Sequence, residues 1–141
     1  MNRKVAIILG AITLAIGGLF AFLGLTIVNS TGCSQIVIDT NELHSGIDIP
    51  DVEFINCYFD EHKKIRVSIY KLKLNTFYLD AYISKFKLID QTTFSGITQL
   101  EISEQPSTNK LYEIAGVKWG DKWKYVVEPE TGMLWVEIIY E

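Results

Sequence analysis

The 141-residue sequence is 48% apolar and carries 17 acidic against 13 basic side chains, with two cysteines and two histidines. All of the acids and 11 of the bases follow one uncharged apolar run, so the rest of the chain carries a net −6. That balance argues against nucleic acid and against electrostatic adhesion to anionic lipid. Two cysteines leave no room for a CxxC redox or zinc site.

Residues 5–28 read VAIILGAITLAIGGLFAFLGLTIV, with Thr13 and Thr26 the only polar side chains. As an α-helix this stretch rises roughly 36 Å, against a hydrocarbon core of roughly 30 Å. A helix satisfies its own backbone in lipid, so the run predicts a single transmembrane helix. Small residues four apart (Ala6/Gly10, Ala11/Ala15, Gly17/Ala21) permit close helix contact. A run this rich in Gly and Ala also produces such pairs by accident. Arg3 and Lys4 precede the run, and the next basic residue is Lys63. The positive-inside rule then keeps residues 1–4 in the cytoplasm and sends residues 29–141 outside it, to the periplasmic side of a bacterial inner membrane.

Two other readings compete. A cleaved signal peptide normally has an apolar region of about 7–15 residues, which this run exceeds. A lipoprotein leader would place lipid on Cys33; Gly32 fits, but Ser30 stands where a leucine-like residue is usual. All three readings put the same domain outside the cytoplasm.

Residues 29–35, NSTGCSQ, form a short polar linker. Cys33 within it could pair with Cys57, a closure worth about 3 kcal/mol in the chain-entropy model; the alternative is a buried free Cys57. Asp39 to Glu42 resembles a capping box, so a short helix is expected over 39–45, with Gly46 as its stop and Pro50 preventing resumption. Residues 51–60 have strand composition, and 60–63 form a turn. Residues 64–74 read as a half-buried strand, with Ile65, Val67 and Ile69 inward and Arg66 and Ser68 outward. Asn75 caps a helix running to about Lys87, whose stripe Leu79, Tyr82, Ile83 and Phe86 packs on a sheet.

Asp90 to Gly96 connects to a stretch from Thr98 in which Leu100 and Ile102 alternate with polar residues. Residues 104–109 read as a loop. Strands follow over 110–119, 122–128 and 133–140, joined by Gly120-Asp121 and by Pro129-Glu130-Thr131-Gly132. The expected fold is α+β: one N-terminal transmembrane helix, then a small domain, 36–141, of about five or six antiparallel strands with one packed helix and one short leading helix.

Charge is blocked. Residues 33–62 hold seven acids and no Lys or Arg, and residues 63–87 hold seven bases and only Asp80. Neighbouring strands can pair such blocks across a solvated face; a charged partner is the other reading.

Catalytic signatures are missing: no GxSxG, P-loop, dinucleotide fingerprint or HExxH occurs. His44 or His62 with Cys57 would be the only nucleophilic pairs, and neither has a partner suggested by spacing. Asp60-Glu61-His62 offers metal-ligand types on a turn, but adjacent residues rarely converge on one ion; Asp48 and Asp51 around Pro50 give an equally weak calcium hint. Paired carboxylates for glycoside hydrolysis need a cleft, and no pair stands out. No catalytic, cofactor or metal site is therefore expected. Trp119, Trp123, Tyr125 and Trp135 gather on the C-terminal hairpins, near Tyr112. Most should be core, and those left outside are the candidate partner contacts, because Trp and Tyr are enriched at binding hot spots.

The run Ser45-Gly46-Ile47-Asp48-Ile49-Pro50, behind a short helix and an N-terminal apolar segment, resembles a turn in small, membrane-anchored bacterial cell-envelope proteins of uncharacterised function. The resemblance implies an α+β envelope domain and carries no chemistry. The expectation is a non-enzymatic, membrane-anchored extracytoplasmic domain that binds a protein, immunity- or inhibitor-like in size and place. The alternatives are an accessory subunit held by its transmembrane helix and a small envelope ligand-binding protein or enzyme.

Overall fold

A computed structural model describes residues 8, 10, 12–20, 37–89, 94–98, 100–107 and 110–141. Residues 12–20 are helical, and their apolar side chains are open, Leu14 being 79% exposed. No helix among the described residues is long and apolar enough to cross a membrane. The expected span 5–28 lies partly outside the described residues, and the linker 29–35, with Cys33, lies wholly outside them.

The domain is α+β. Helix α1 (Val37–Ser45) leads into the hairpin β1 (Val52–Asp60) and β2 (Ile65–Leu72); helix α2 (Thr76–Ile83) and the short β3 (Lys87–Ile89) follow. After a single 3-10 turn at Ile102–Glu104 come β4 (Leu111–Lys118), β5 (Asp121–Glu128) and β6 (Met133–Ile139). The six strands form one antiparallel sheet in the order β1-β2-β6-β5-β4-β3. The two hairpins of the C-terminal meander follow from their turns. Lys118 pairs with Asp121 across Trp119 (φ 58) and Gly120 (φ 93), a two-residue turn with both central residues left-handed. Gly132 (φ 69) donates to the Glu128 carbonyl and closes the β5–β6 turn.

Both faces of the sheet are covered. Tyr70 and Leu72 of β2, Tyr125 and Val127 of β5, and Leu134, Val136 and Ile138 of β6 meet Val37 of α1 and Tyr82 and Ile83 of α2 on one face. Ile65, Val67, Ile69, Val126 and Trp135 meet Ile97, Phe94 and Leu100 on the other. The second layer has almost no regular structure, so its backbone must be satisfied otherwise. Gln105 does most of this, accepting from Ile97 N–H and donating to the Ile97 and Leu100 carbonyls. The sheet supplies the rest: Glu137 accepts from Thr98 N–H, Glu128 from Ser107 N–H, and Trp135 Nε1 donates to the Glu104 carbonyl.

The helical layer on the other face corrects the reading of β2 as half-buried. Arg66 and Ser68 do face away from Ile65, Val67 and Ile69, but α1 lies over them and both are fully buried. Residues 98 and 100–103 do not form a strand: they lie in the covering layer. The second helix ends at Ile83, capped by Ser84 N–H to the Asp80 carbonyl, and residues 87–89 become β3. The stripe survives this change, since Tyr82, Ile83 and Phe86 are buried and Leu79 packs against them. Asn75 caps as expected, accepting from Tyr78 N–H at 3.1 Å.

Candidate functional site

The residues around α1 build the most polar part of the core. The helix begins at Val37, so Glu42 does not reach back to a cap at Asp39. Its carboxylate turns forward and accepts from Ile49 N–H at 2.7 Å, while Gly46 N–H (φ 74) donates to the Glu42 carbonyl. The turn from Ser45 to Pro50 is thus tied to one side chain, and Ser45 Oγ adds a bond from Ile47 N–H. Beneath it, Asn41 receives Arg66 Nη2 at 2.7 Å and donates to Tyr70 Oη at 2.9 Å. Ser45 and Tyr125 share a further hydroxyl pair at 2.9 Å. The Arg66 guanidinium also lies 5.4 Å from the Tyr140 ring centre.

Burial shapes the ionisation here. It pushes Tyr70, Tyr82 and Tyr125 upward, Tyr140 up to about 12, and Arg66 downward. A buried guanidinium held by an amide and aromatic rings, rather than aimed into a cleft, positions α1 on the sheet. Sequence reading missed this network because Arg66 falls on the polar side of an alternating strand.

Apart from those of residues 8–20 and Leu88 on β3, the large exposed apolar side chains fall toward the two ends of the strands. At the end where β1 starts and β2 finishes, Phe54 (52% exposed) and Ile55 stand out from β1, and Phe77 and Tyr78 from the first turn of α2. Lys73 N–H donates to the Asp51 carbonyl, so the chain enters α2 from that same end. β1 is an edge strand with a register shift between Phe54 and Asn56, which leaves Ile55 without a partner on β2. The opposite edge, β3, is only three residues long and starts with a lysine, a blunted edge.

Toward the other end, Trp119 is 67% exposed, and Val117 and Leu43 are exposed as well. Lys118 Nζ donates to the Leu43 carbonyl at 2.7 Å and lies 4.7 Å from the Trp119 ring centre. His44 stacks edge-on to Trp119 and to Tyr140, with Nδ1 2.6 Å from Asp121 Oδ2.

The four aromatic candidates are therefore separated. Tyr125 is fully buried against α1, Trp135 is buried under the other layer, and Trp123 is partly buried against Gly116. Only Trp119 presents a surface; the other three belong to the packing. Cys57 is disulfide-bonded and no described cysteine is free. Cys33, the other cysteine of the sequence, lies outside the described residues.

No family model, curated protein or solved structure matches the chain.

A disulfide-bonded Cys57 is no nucleophile for His44 or His62. His62 lies in the exposed β1–β2 turn, where Asp60 accepts from the backbone N–H groups of His62 and Lys63. The Lys63 N–H is the main reason the Asp60 carboxyl titrates lower than usual. Among the described residues no three His, Cys, Asp or Glu side chains are grouped to hold a metal ion. A hollow of about 260 Å³ beside Asn56 and Trp135 has Glu104 and Glu128 in its wall. Their carboxylates already receive Tyr58 Oη and Ser107 N–H respectively.

Proposed function

We propose that this chain is a single-pass, membrane-anchored binding domain held outside the cytoplasm, without catalytic activity, which recognises a protein partner. Residues 5–28 serve as the anchor and residues 1–4 stay in the cytoplasm. The open apolar side chains of helical residues 12–20 suit lipid and would be unusual in water. The disulfide at Cys57, drawn in this reading from Cys33, suits an oxidising compartment. The place and plan agree with the resemblance to small bacterial envelope proteins, and an immunity- or inhibitor-like role would use the same surface.

The observation that carries the binding role is the exposure of Phe54 and Ile55 on the edge strand β1, with Phe77 and Tyr78 exposed on the first turn of α2 toward the same end of the strands. Exposed aromatic and aliphatic side chains at one end of a domain mark an interaction surface. An edge strand beside them can add an extended segment of the partner. The test is site-specific photo-crosslinking in cells, with the reactive group at Phe54 or Phe77 and, for comparison, at Leu88 on the far edge. A discrete protein adduct from positions 54 and 77 but not 88 is expected, and it should persist when residues 5–28 are replaced by an unrelated membrane helix. Adducts lost on that replacement would favour an accessory subunit held by its helix. The absence of adducts at both positions would refute the binding surface.

A further inference from the structure

The bond at Cys57 decides how far the β1 edge can stand from the membrane. Cys57 is disulfide-bonded on β1, and Cys33 is the one other cysteine of the sequence. The bond therefore ties the tether to the edge strand. We propose that the partner of this edge is an integral membrane protein, met through an extended segment just outside the bilayer. The proposal rests on the membrane-anchored binding reading above and names the class of partner.

Chain length sets the height. Residues 29–33 are five in number and extend at most about 18 Å from the end of the apolar run. The disulfide adds about 6 Å between Cα atoms. Cys57 is then held within about 24 Å of the hydrocarbon, and the headgroup layer takes about 5–7 Å of that. A flexible link of this length spans on average only about 12 Å. Ile55 and Phe54 lie about 7 and 10 Å from Cys57 along the strand. A folded domain of about 100 residues has a radius of gyration of about 13 Å, so it is roughly 30 Å across. Little of such a soluble partner fits beside this edge above the headgroups. A membrane protein already has chain in this layer, where it leaves the bilayer.

The chemistry of the edge favours a protein segment over lipid. β1 has a neighbour in the sheet on one side only, so its outward N–H and C=O groups call for hydrogen bonds that acyl chains do not supply. Asp51, Glu53 and Glu61 are exposed along it and at its ends, and they repel an anionic lipid surface. Cys57 packs on the α1 face, so the tether meets β1 there. Ile55 stands on the other face, with Asn56, Ile69 and Trp135 at the hollow of about 260 Å³. An extended segment added to β1 can set one side chain in that hollow.

In the test, photo-reactive benzoylphenylalanine replaces Phe54 in the full chain, and the adducts formed in cells are identified by mass spectrometry. Expected is a protein with its own transmembrane segment, joined through a peptide next to that segment, which stays in the membrane through alkaline washing in cells lacking this chain. Inserting about 20 Gly and Ser residues between Ser30 and Thr31 lengthens the link about fivefold, and the yield should fall about tenfold, as the 3/2 power of length. Releasing the clamp with Cys33→Ser and Cys57→Ser together should lower the yield in the same direction. A partner that alkaline washing removes, or a yield that the insertion leaves unchanged or raises, overturns the proposal while the binding reading stands. Peptide mapping without reductant that finds residues 33 and 57 unlinked overturns it too, because the height is then unset. Adducts to phospholipid alone, or none at positions 54 and 77, refute the protein-binding surface itself and the proposal with it.

Discussion

Replacing Asn41 with Leu tests whether the buried polar cluster holds α1 on the sheet. The substitution keeps the shape and removes two bonds, the acceptor of Arg66 Nη2 at 2.7 Å and the donor to Tyr70 Oη at 2.9 Å. A hydrogen bond to a charged group contributes about 1.5–3 kcal/mol and a neutral one about 1 kcal/mol. Both sit at residues with no solvent exposure, so water cannot replace either partner. The expected loss is about 3 kcal/mol. For a domain of this size, an unfolding entropy of about 2.1 cal/mol/K per residue makes that a fall in Tm of roughly 12–15 °C. Thermal and urea unfolding of the full chain in detergent, followed by near-UV circular dichroism, measures it. The double variant Asn41→Leu/Arg66→Leu should be less destabilised than the sum of the single variants by at least about 1 kcal/mol, since no guanidinium is then left short of its acceptor. A loss under about 1 kcal/mol for Asn41→Leu, or additivity within about 0.5 kcal/mol, would refute the reasoning.

Three further outcomes are expected. Gly116→Ala places a Cβ 2.5 Å from Trp123 Cζ2; the indole must shift, at about 1–3 kcal/mol, and near-UV dichroism that stays unchanged would count against this. Glu137→Gln weakens both the ion pair to Lys124 Nζ at 3.2 Å and the bond from Thr98 N–H; residues 94–107 should then exchange amide hydrogens faster, with β1 and β2 unaffected. The native state holds the protons of Tyr70, Tyr82, Tyr125 and Tyr140 more tightly than the unfolded chain does. Stability is therefore intact below pH 10 and falls as pH rises through 12, the value reached by Tyr140. The tyrosinate absorbance of these four should appear together with unfolding, and their free titration near 10 in the folded protein would contradict it.

The hairpins were legible because turn chemistry and period-two alternation act locally. Pro129 to Gly132 between apolar strands leaves few other choices. Strand order was not legible: β2 pairs with β6 across some 70 residues, and no local signal selects that partner. The helix stripe hid β3, because Phe86 reaches the core from the turn after Ile83 as well as it would from a longer helix. The roles of Glu128 and Glu137 were not legible either, since they take up loop N–H groups that only the fold brings near. The aromatic set was split by parity, since Trp123 and Tyr125 share one face while Trp135 points to the other. One surface signal was present and unread: Phe77-Tyr78, off the stripe of their own helix.

The sheet order sets a schedule for folding. β6 sits between β2 and β5, yet it is synthesised after both. Until it emerges, the β1–β2 hairpin and the β4–β5 hairpin have no shared strand, and Tyr70, Val67 and Val126 stay open to solvent. A chain delivered N-terminus first must hold that apolar surface unsatisfied until β6 arrives to join the halves. A stop before Met133 would cost more than a strand: it would leave two hairpins with nothing to unite them.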